Sequence, residues 1–148
     1  MMKLFVADTN ALISYYSHIF GELDNLSLRA RRILSDAIED RSPFTKISFP
    51  SIVFVEIFEK WLVTEEFVKR FYFEVFQPLS ENPNIELRVI DREVLENLST
   101  IGENLEKHEI HDKLIVATAM SLQCPLISTD GEIHEYVERT RALPEVFS

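Results

Sequence analysis

Short apolar runs with little internal alternation punctuate this chain, and amphipathic stretches separate them. The first run, Leu4 to Ala7, fits a strand buried on both faces, as in a parallel sheet covered by helices. A helix from Ala11 to Tyr16 and a loop from His18 to Asn25 follow. Ser27 then precedes a helix with an apolar stripe at Leu26, Ile33, Leu34, Ala37 and Ile38. Arg41-Ser42-Pro43 breaks that helix, and Lys46 to Phe49 reads as a second strand, stopped by Pro50. Helices are expected from Ser51 or Ile52 to about Trp61 and from about Thr64 to Phe76, the latter ended by Gln77-Pro78. Glu81-Asn82-Pro83-Asn84 is a turn, and Glu86 to Ile90 alternates as a strand. Asp91 caps a helix through Val94, Leu95, Leu98 and Ile101, with Gly102 as its point of interruption. A polar segment from His108 to His111 leads to a helix opened by Asp112 and running to about Leu122. Pro125 to Ser128 is another short buried strand, Gly131 to Arg139 a final helix, and Leu143 to Phe147 an edge strand. Strands alternating with helices make this an α/β domain, residues 1–148, around a mostly parallel sheet.

The 148 residues are enough for one domain with a real core. A lone cysteine, Cys124, fits a reducing compartment. No run reaches the length of a membrane span, and the N-terminal apolar run is too short for a secretory signal. These features set the expectation of a cytoplasmic protein without a membrane partner. The net charge of −10 opposes broad affinity for nucleic acid. It is unevenly spread, however: residues 1–80 carry 9 basic and 11 acidic side chains, residues 81–148 carry 6 and 14. A phosphate-binding surface is therefore expected in the first half, with Arg29, Arg31, Arg32 and Lys46 as candidates, along with Lys60, Lys69 and Arg70. Solvated helix faces are the alternative for these charges.

Four acids stand out by position. Asp8 ends the first strand, at the sheet edge where open α/β folds bind ligands, and can equally cap the next helix. Asp130 repeats that geometry after Ser128-Thr129. Asp112 stands at a helix N-terminus, where the dipole favours an anion. Glu56 interrupts the apolar run Ser51 to Phe58, either as a functional acid or as part of a solvent face with Glu59 and Lys60. Carboxylates converging in one cleft repel, so one or more stays protonated unless a cation intervenes. All-oxygen ligation selects Mg²⁺ or Mn²⁺. His18, His108, His111 and His134 show no ligand spacing with Cys124, which argues against zinc. A hard divalent ion with several acids is common equipment for phosphodiester hydrolysis. The chain has no Gly-rich phosphate loop, nucleophile elbow or dinucleotide fingerprint.

These residues resemble a known family. Val6-Ala7-Asp8-Thr9-Asn10-Ala11-Leu12-Ile13, Ser51 through Glu56, His111 through Ala119 and Leu126-Ile127-Ser128-Thr129-Asp130 are similar, in order and spacing, to the PIN-domain nucleases and within them to VapC-type toxins of toxin–antitoxin pairs. The resemblance implies a three-layer α/β/α PIN-like fold with about five strands and Mg²⁺- or Mn²⁺-dependent endoribonuclease activity on RNA. It further implies Asp8, Glu56, Asp112 and Asp130 as the catalytic, metal-holding quartet, with Asn10 and Thr129 as secondary polar groups. From Asp130 on the chain is less like the family, which leaves the role of Glu132 open.

Eight of the 11 phenylalanines lie between Phe44 and Phe76, more than one helix face can bury against the domain. Phe67, Phe71, Tyr72, Phe73 and Phe76 are therefore expected at an interface, with a thick local core as the alternative. In VapC-like proteins this region forms the homodimer contact and an antitoxin groove. The leading reading is a ribonuclease toxin with an antitoxin partner. A stand-alone RNA-processing nuclease of the same fold and an inactive RNA- or protein-binding module are the alternatives.

Overall fold

The computed structural model describes residues 2–61, 63–105 and 109–148, so His108 and the start of the polar segment expected there lie outside the described residues. Five strands, β1 (Lys3–Ala7), β2 (Thr45–Pro50), β3 (Ile85–Arg88), β4 (Leu126–Ile127) and β5 (Val146–Phe147), form one sheet in the order β3-β2-β1-β4-β5. Every pairing is parallel, with Val6 opposite both Ser48 and Leu126. Successive strand residues point to opposite faces. Phe5, Val6 and Ala7 are all buried, as are Ile47, Ser48 and Phe49, so helices cover the sheet on both sides. This is the three-layer α/β architecture expected.

The strand order reverses at β1. The chain moves outward from β1 to β2 and β3, then returns to the other side of β1 for β4 and β5. Ligands in open α/β sheets bind at such a reversal, beyond the strand C-termini. Here that point lies between the ends of β1 and β4, and Asp8 N–H donates to Ile127 O across it at 3.1 Å.

Helix α1 (Thr9–Tyr15) starts two residues earlier than expected because Asp8 is its cap. The segment read as a loop contains a short helix, α2 (Ser17–Phe20), whose Ile19 and Phe20 are buried. Gly21 closes it at φ 69°, a left-handed conformation that suits glycine. Helices α3 (Leu28–Ile38), capped by the Ser27 hydroxyl, and α4 (Ser51–Lys60) lie where the pattern put them.

The long aromatic helix does not end at Gln77-Pro78. Helix α5 (Glu65–Phe71) passes through a π-helical turn, Tyr72–Phe76, into α6 (Gln77–Glu81). Gln77 N–H donates five residues back to Tyr72 O, and Pro78, which has no N–H to give, follows directly on this π-helical turn at the start of α6. Strand β3 stops before Val89 and Ile90, which lie exposed. Asp91 caps α7 (Arg92–Ile101), followed at Gly102 by a 3₁₀ turn, Gly102–Leu105. Helix α8 (Ile110–Leu122) begins two residues before Asp112 with Glu109 at the cap position, so Asp112 stands in the first turn of the helix and does not open it. Helix α9 (Gly131–Thr140) completes the set. Among the described residues no helix is long and apolar enough to cross a membrane.

Candidate functional site

Asp8 is the buried centre of the site. Its backbone is extended as it leaves β1, and its carboxylate accepts the Ala11 N–H at 2.7 Å, capping α1. The Ser128 hydroxyl also bonds to it. Burial above all, with smaller contributions from the neighbouring Asp112 and Asp130, nevertheless pushes the Asp8 carboxyl up to about 7. The two hydrogen bonds oppose that shift without cancelling it. A carboxyl poised this way takes up or gives up a proton near neutrality, or stays ionised if a cation arrives.

The three other acids come from three helices. Glu56 projects from α4 and is only 14% exposed at its side chain. Thr9 Oγ1 donates to its Oε1 at 2.8 Å, and Lys60 Nζ lies 3.2 Å from its Oε2. Glu56 is thus an inward-turned, partnered acid and not a member of a solvent face. Lys60 also reaches Glu109 Oε2 at 3.1 Å, which holds the Glu109 carboxyl below the usual range and the Lys60 ammonium above it. His111 Nδ1 lies 3.1 Å from the same Glu109 oxygen. Asp130 follows β4 and caps α9, accepting from Glu132 N–H at 2.9 Å and Ile133 N–H at 3.3 Å. Asp130 N–H in turn donates to Ser128 Oγ at 3.1 Å. The buried Ser128 hydroxyl therefore links Asp8 to Asp130, a role the sequence did not announce.

A cleft of about 670 Å³ opens above Asp8, lined by Asn10, Glu56, Lys60, Glu109, Asp112, Asp130, Gly131, Glu132 and Glu135. It gathers three acids of the expected quartet at its surface and holds the fourth beneath. Asn10 joins them, and Glu132 lines the same cleft. Thr129 faces a smaller adjoining pocket, which Asn10 also borders. Glu109 and Glu135 were not expected; they reach the cleft from the starts of α8 and α9.

Of the basic candidates, Lys60 lines this cleft, whereas Arg29, Arg31, Arg32 and Lys46 lie elsewhere. Arg29 pairs with Glu145 and stacks 4.1 Å above the Phe147 ring. Arg31 Nε donates to Asp24 at 2.9 Å. Arg32 is exposed. Lys46 sits near the start of β2, the end of the sheet opposite Asp8, with Nζ 3.3 Å from Pro83 O. The cleft's cation is Lys60.

The aromatic surplus divides. Phe71 is buried among Phe20, Phe58 and Phe67, so it is a core residue and cannot meet a partner. Phe67 and Phe76 are partly buried against the same cluster. Tyr72 and Phe73 stay 48% and 64% exposed.

The donors suit a hard divalent cation: they are all oxygen, and the buried Asp8 carries a repulsion that a cation relieves. As they stand, no three Asp, Glu, His or Cys side chains among the described residues are gathered closely enough to hold a metal ion. The chemistry fits; the cage is not closed.

No family model and no curated protein matches the chain. Its fold is similar to solved structures. One is VapBC2 from Rickettsia felis bound to a DNA fragment from their promoter, with a TM-score of 0.63 at 17% identity, over 98% of this chain and 99% of that one. Another is FitAcB from Neisseria gonorrhoeae, with a TM-score of 0.64 at 14% identity, over 97% and 96%. A third is VapBC-5 of Mycobacterium tuberculosis, a member of the VapBC family of toxin–antitoxin systems, with a TM-score of 0.60 at 14% identity, over 98% of each chain. At these identities the likeness carries the fold, which is the PIN-like α/β/α fold.

Proposed function

We propose that this PIN-like chain is a Mg²⁺- or Mn²⁺-dependent endoribonuclease and the toxin of a toxin–antitoxin pair. The observation that carries the reading is the buried Asp8, pushed up to about 7 beneath a cleft lined by Glu56, Asp112 and Asp130. A helix cap alone needs neither that burial nor those neighbours.

Asp8, Asp112 and Asp130, with Glu56, would hold the cation, which when bound polarises a phosphate and lowers the pKa of an attacking water. The chain's own groups do the positioning. Thr9 fixes the Glu56 carboxylate, and Ser128 fixes Asp8 against Asp130. Lys60 neutralises Glu56 in the resting protein and offers N–H donors to a phosphate oxygen at the mouth of an otherwise acidic cleft. Asn10 and Thr129 border the reacting region as secondary polar groups. The antitoxin partner is supported by the toxin–antitoxin complexes that share the fold. A homodimer is supported by the exposed Tyr72 and Phe73 beside a half-exposed Phe58.

A second reading, a binding module whose acids only cap helices, is favoured by the caps that Asp8 and Asp130 make. Incubating the purified chain with a mixed RNA panel, with Mg²⁺, with Mn²⁺ and with EDTA, separates the two. Cleavage that needs the metal and is lost in Asp112→Asn supports the nuclease. Intact RNA under all conditions supports the module. A small basic open reading frame immediately upstream separates a toxin from a stand-alone nuclease.

A further inference from the structure

We infer that the pocket beside the acidic cleft is a nucleobase subsite, selective for guanine, that seats a nucleotide next to the phosphodiester to be cut. The identity of the larger ligand, single-stranded RNA, rests on the ribonuclease reading; the base pocket itself rests on its own lining.

The pocket has a volume of about 240 Å³; Ile13, Leu23 and Trp61 give it apolar walls, and Asn10, Ser14, Glu22, Asn25 and Thr129 its polar ones. It adjoins the cleft. Asn10 borders both, Thr129 directly precedes Asp130, and Trp61 directly follows Lys60. A nucleotide seated here has its backbone at the acids.

The lining is that of a base site. Trp61 packs edge-on against the buried Phe20, ring centroids 5.4 Å apart and planes at 81°, which fixes the indole as a wall. Base–aromatic stacking is the sequence-tolerant part of single-strand binding, and hydrogen bonds to base edges supply the choice. Those hydrogen-bonding groups are present and uncommitted. The side chains of Asn10, Glu22 and Asn25, all exposed, and of the half-buried Thr129 have no protein partner among the described residues, unlike Glu56 and Lys60 in the cleft, which pair with each other. Among the described residues no Lys, Arg or His lines the pocket, so it suits a base and not a phosphate.

Glu22 decides which base. A carboxylate is an acceptor only. The Watson–Crick edge of guanine presents two adjacent donors, N1–H and the N2 amino group, which match its two oxygens. Adenine and cytosine place a ring acceptor beside their amino group, and uracil flanks its N3–H with two carbonyls, so each turns lone pairs toward the carboxylate. The asparagine amides and the Thr129 hydroxyl can donate to guanine O6 and N7.

The loop bearing Glu22 and Asn25 is pinned. Arg31 Nε donates to Asp24 at 2.9 Å and Arg31 Nη2 to Ser14 O at 3.3 Å. Asn25 N–H donates to Ser14 Oγ at 3.4 Å, and Ser27 N–H to Ser148 O at 3.0 Å. Arg31 thus acts as a positioning residue: it holds the loop that presents the selective side chain, and preorganisation of this kind lowers the cost of binding.

Trp61 is the only tryptophan in the chain, so its fluorescence reports on this pocket without any cleavage. The full chain is titrated, free of metal, with GMP, AMP, CMP and UMP. GMP is expected to quench Trp61 at a concentration about tenfold or more below the others, the scale of one good bidentate contact. Glu22→Gln, an exposed substitution, is expected to bring GMP into the range of the other three, and Asn25→Ala to weaken all four. Equal quenching by all four nucleotides, no quenching, or a GMP preference that survives Glu22→Gln overturns the inference. Mapping the cuts in a random-sequence RNA keeps the two readings apart. Cleavage with no guanine beside the cut and no selective quench sinks the base pocket and leaves the nuclease. Selective quench in a protein that cuts no RNA keeps the pocket and sinks the nuclease.

Discussion

Thr9 Oγ1 donates to Glu56 Oε1 at 2.8 Å, tying the residue just past the first strand to the middle of a helix formed 47 positions later. The buried Thr9 hydroxyl has no solvent to turn to, and the carboxylate it holds faces the cleft. Thr9→Val keeps the shape and removes the donor. We expect it to lower stability by about 1.5–3 kcal/mol, the range for a hydrogen bond to a charged group. Thermal melts measure that loss. RNA cleavage should fall as well and be restored by Thr9→Ser, which returns the hydroxyl; a Thr9→Ser variant as impaired as Thr9→Val would assign the loss to packing.

Asp8 makes the metal-free protein sensitive to pH in an unusual direction. Its ordinary value of 3.8 is raised to about 7 in the folded state, so between those values the folded protein holds a proton that the unfolded chain has released. The stabilisation is complete below about pH 4 and is lost as pH rises toward 7, an effect of order 4 kcal/mol for a shift of this size. Denaturant melts in EDTA across that range should show the decline, and Asp8→Asn should flatten it. A wild type whose stability instead climbs from pH 4 to 7 would contradict this environment for Asp8.

Mg²⁺ or Mn²⁺ should raise the melting temperature by mass action if it binds the folded state alone. The rise should be larger at pH 7.5 than at pH 5.5, because a protonated Asp8 competes with the ion. Asp8→Asn combined with Asp112→Asn should abolish it, and an undiminished shift in the double variant would locate the ion elsewhere.

Phe71 and Phe73 are two residues apart and answer differently to the same change. Phe71→Glu puts a charge into the buried aromatic cluster and should prevent folding. Phe73→Glu charges a side chain that is 64% exposed, so the fold should persist while any homodimer formed through that face dissociates. Circular dichroism and sedimentation velocity distinguish these outcomes. A wild type that sediments as a monomer at micromolar concentration would remove the homodimer and leave Tyr72 and Phe73 to another partner.

The centre of the sheet was readable because β1 and β4 are buried on both faces and so appear as short apolar runs followed closely by acids. Asp8, Asp130 and Glu56 were visible for the same reason, as charges placed where apolar residues were due. Ser128, Glu109 and Glu135 were not, because their parts depend on neighbours distant in the chain: Lys60 meets Glu109 across 49 positions. Lys60 was among the basic candidates and lines the cleft, but Arg29, Arg31, Arg32 and Lys46 fall away from it for a related reason. Counting charge by halves of the chain cannot say which end of the sheet a side chain occupies, and Lys46 lies at the far end. The π-helical turn at Tyr72–Phe76 was hidden because a search at 3.6-residue spacing reads Gln77-Pro78 as a stop. Phe71 was assigned outward because composition gives the amount of aromatic surface but not the direction in which each ring points.

The parallel register imposes an order of events on synthesis. Val6 and Ala7, in the middle of the sheet, find Leu126 and Ile127 only after the ribosome has made nearly everything between them. A chain growing at about 5–20 residues per second therefore carries β1 with one bare edge for seconds. Asp8 has neither Ser128 nor Asp130 beside it during that interval. Long-range pairing of this kind is slow to form, and the acid cleft is among the last features to close. A nascent chain can thus occupy the translation machinery without yet possessing the assembled acid cleft.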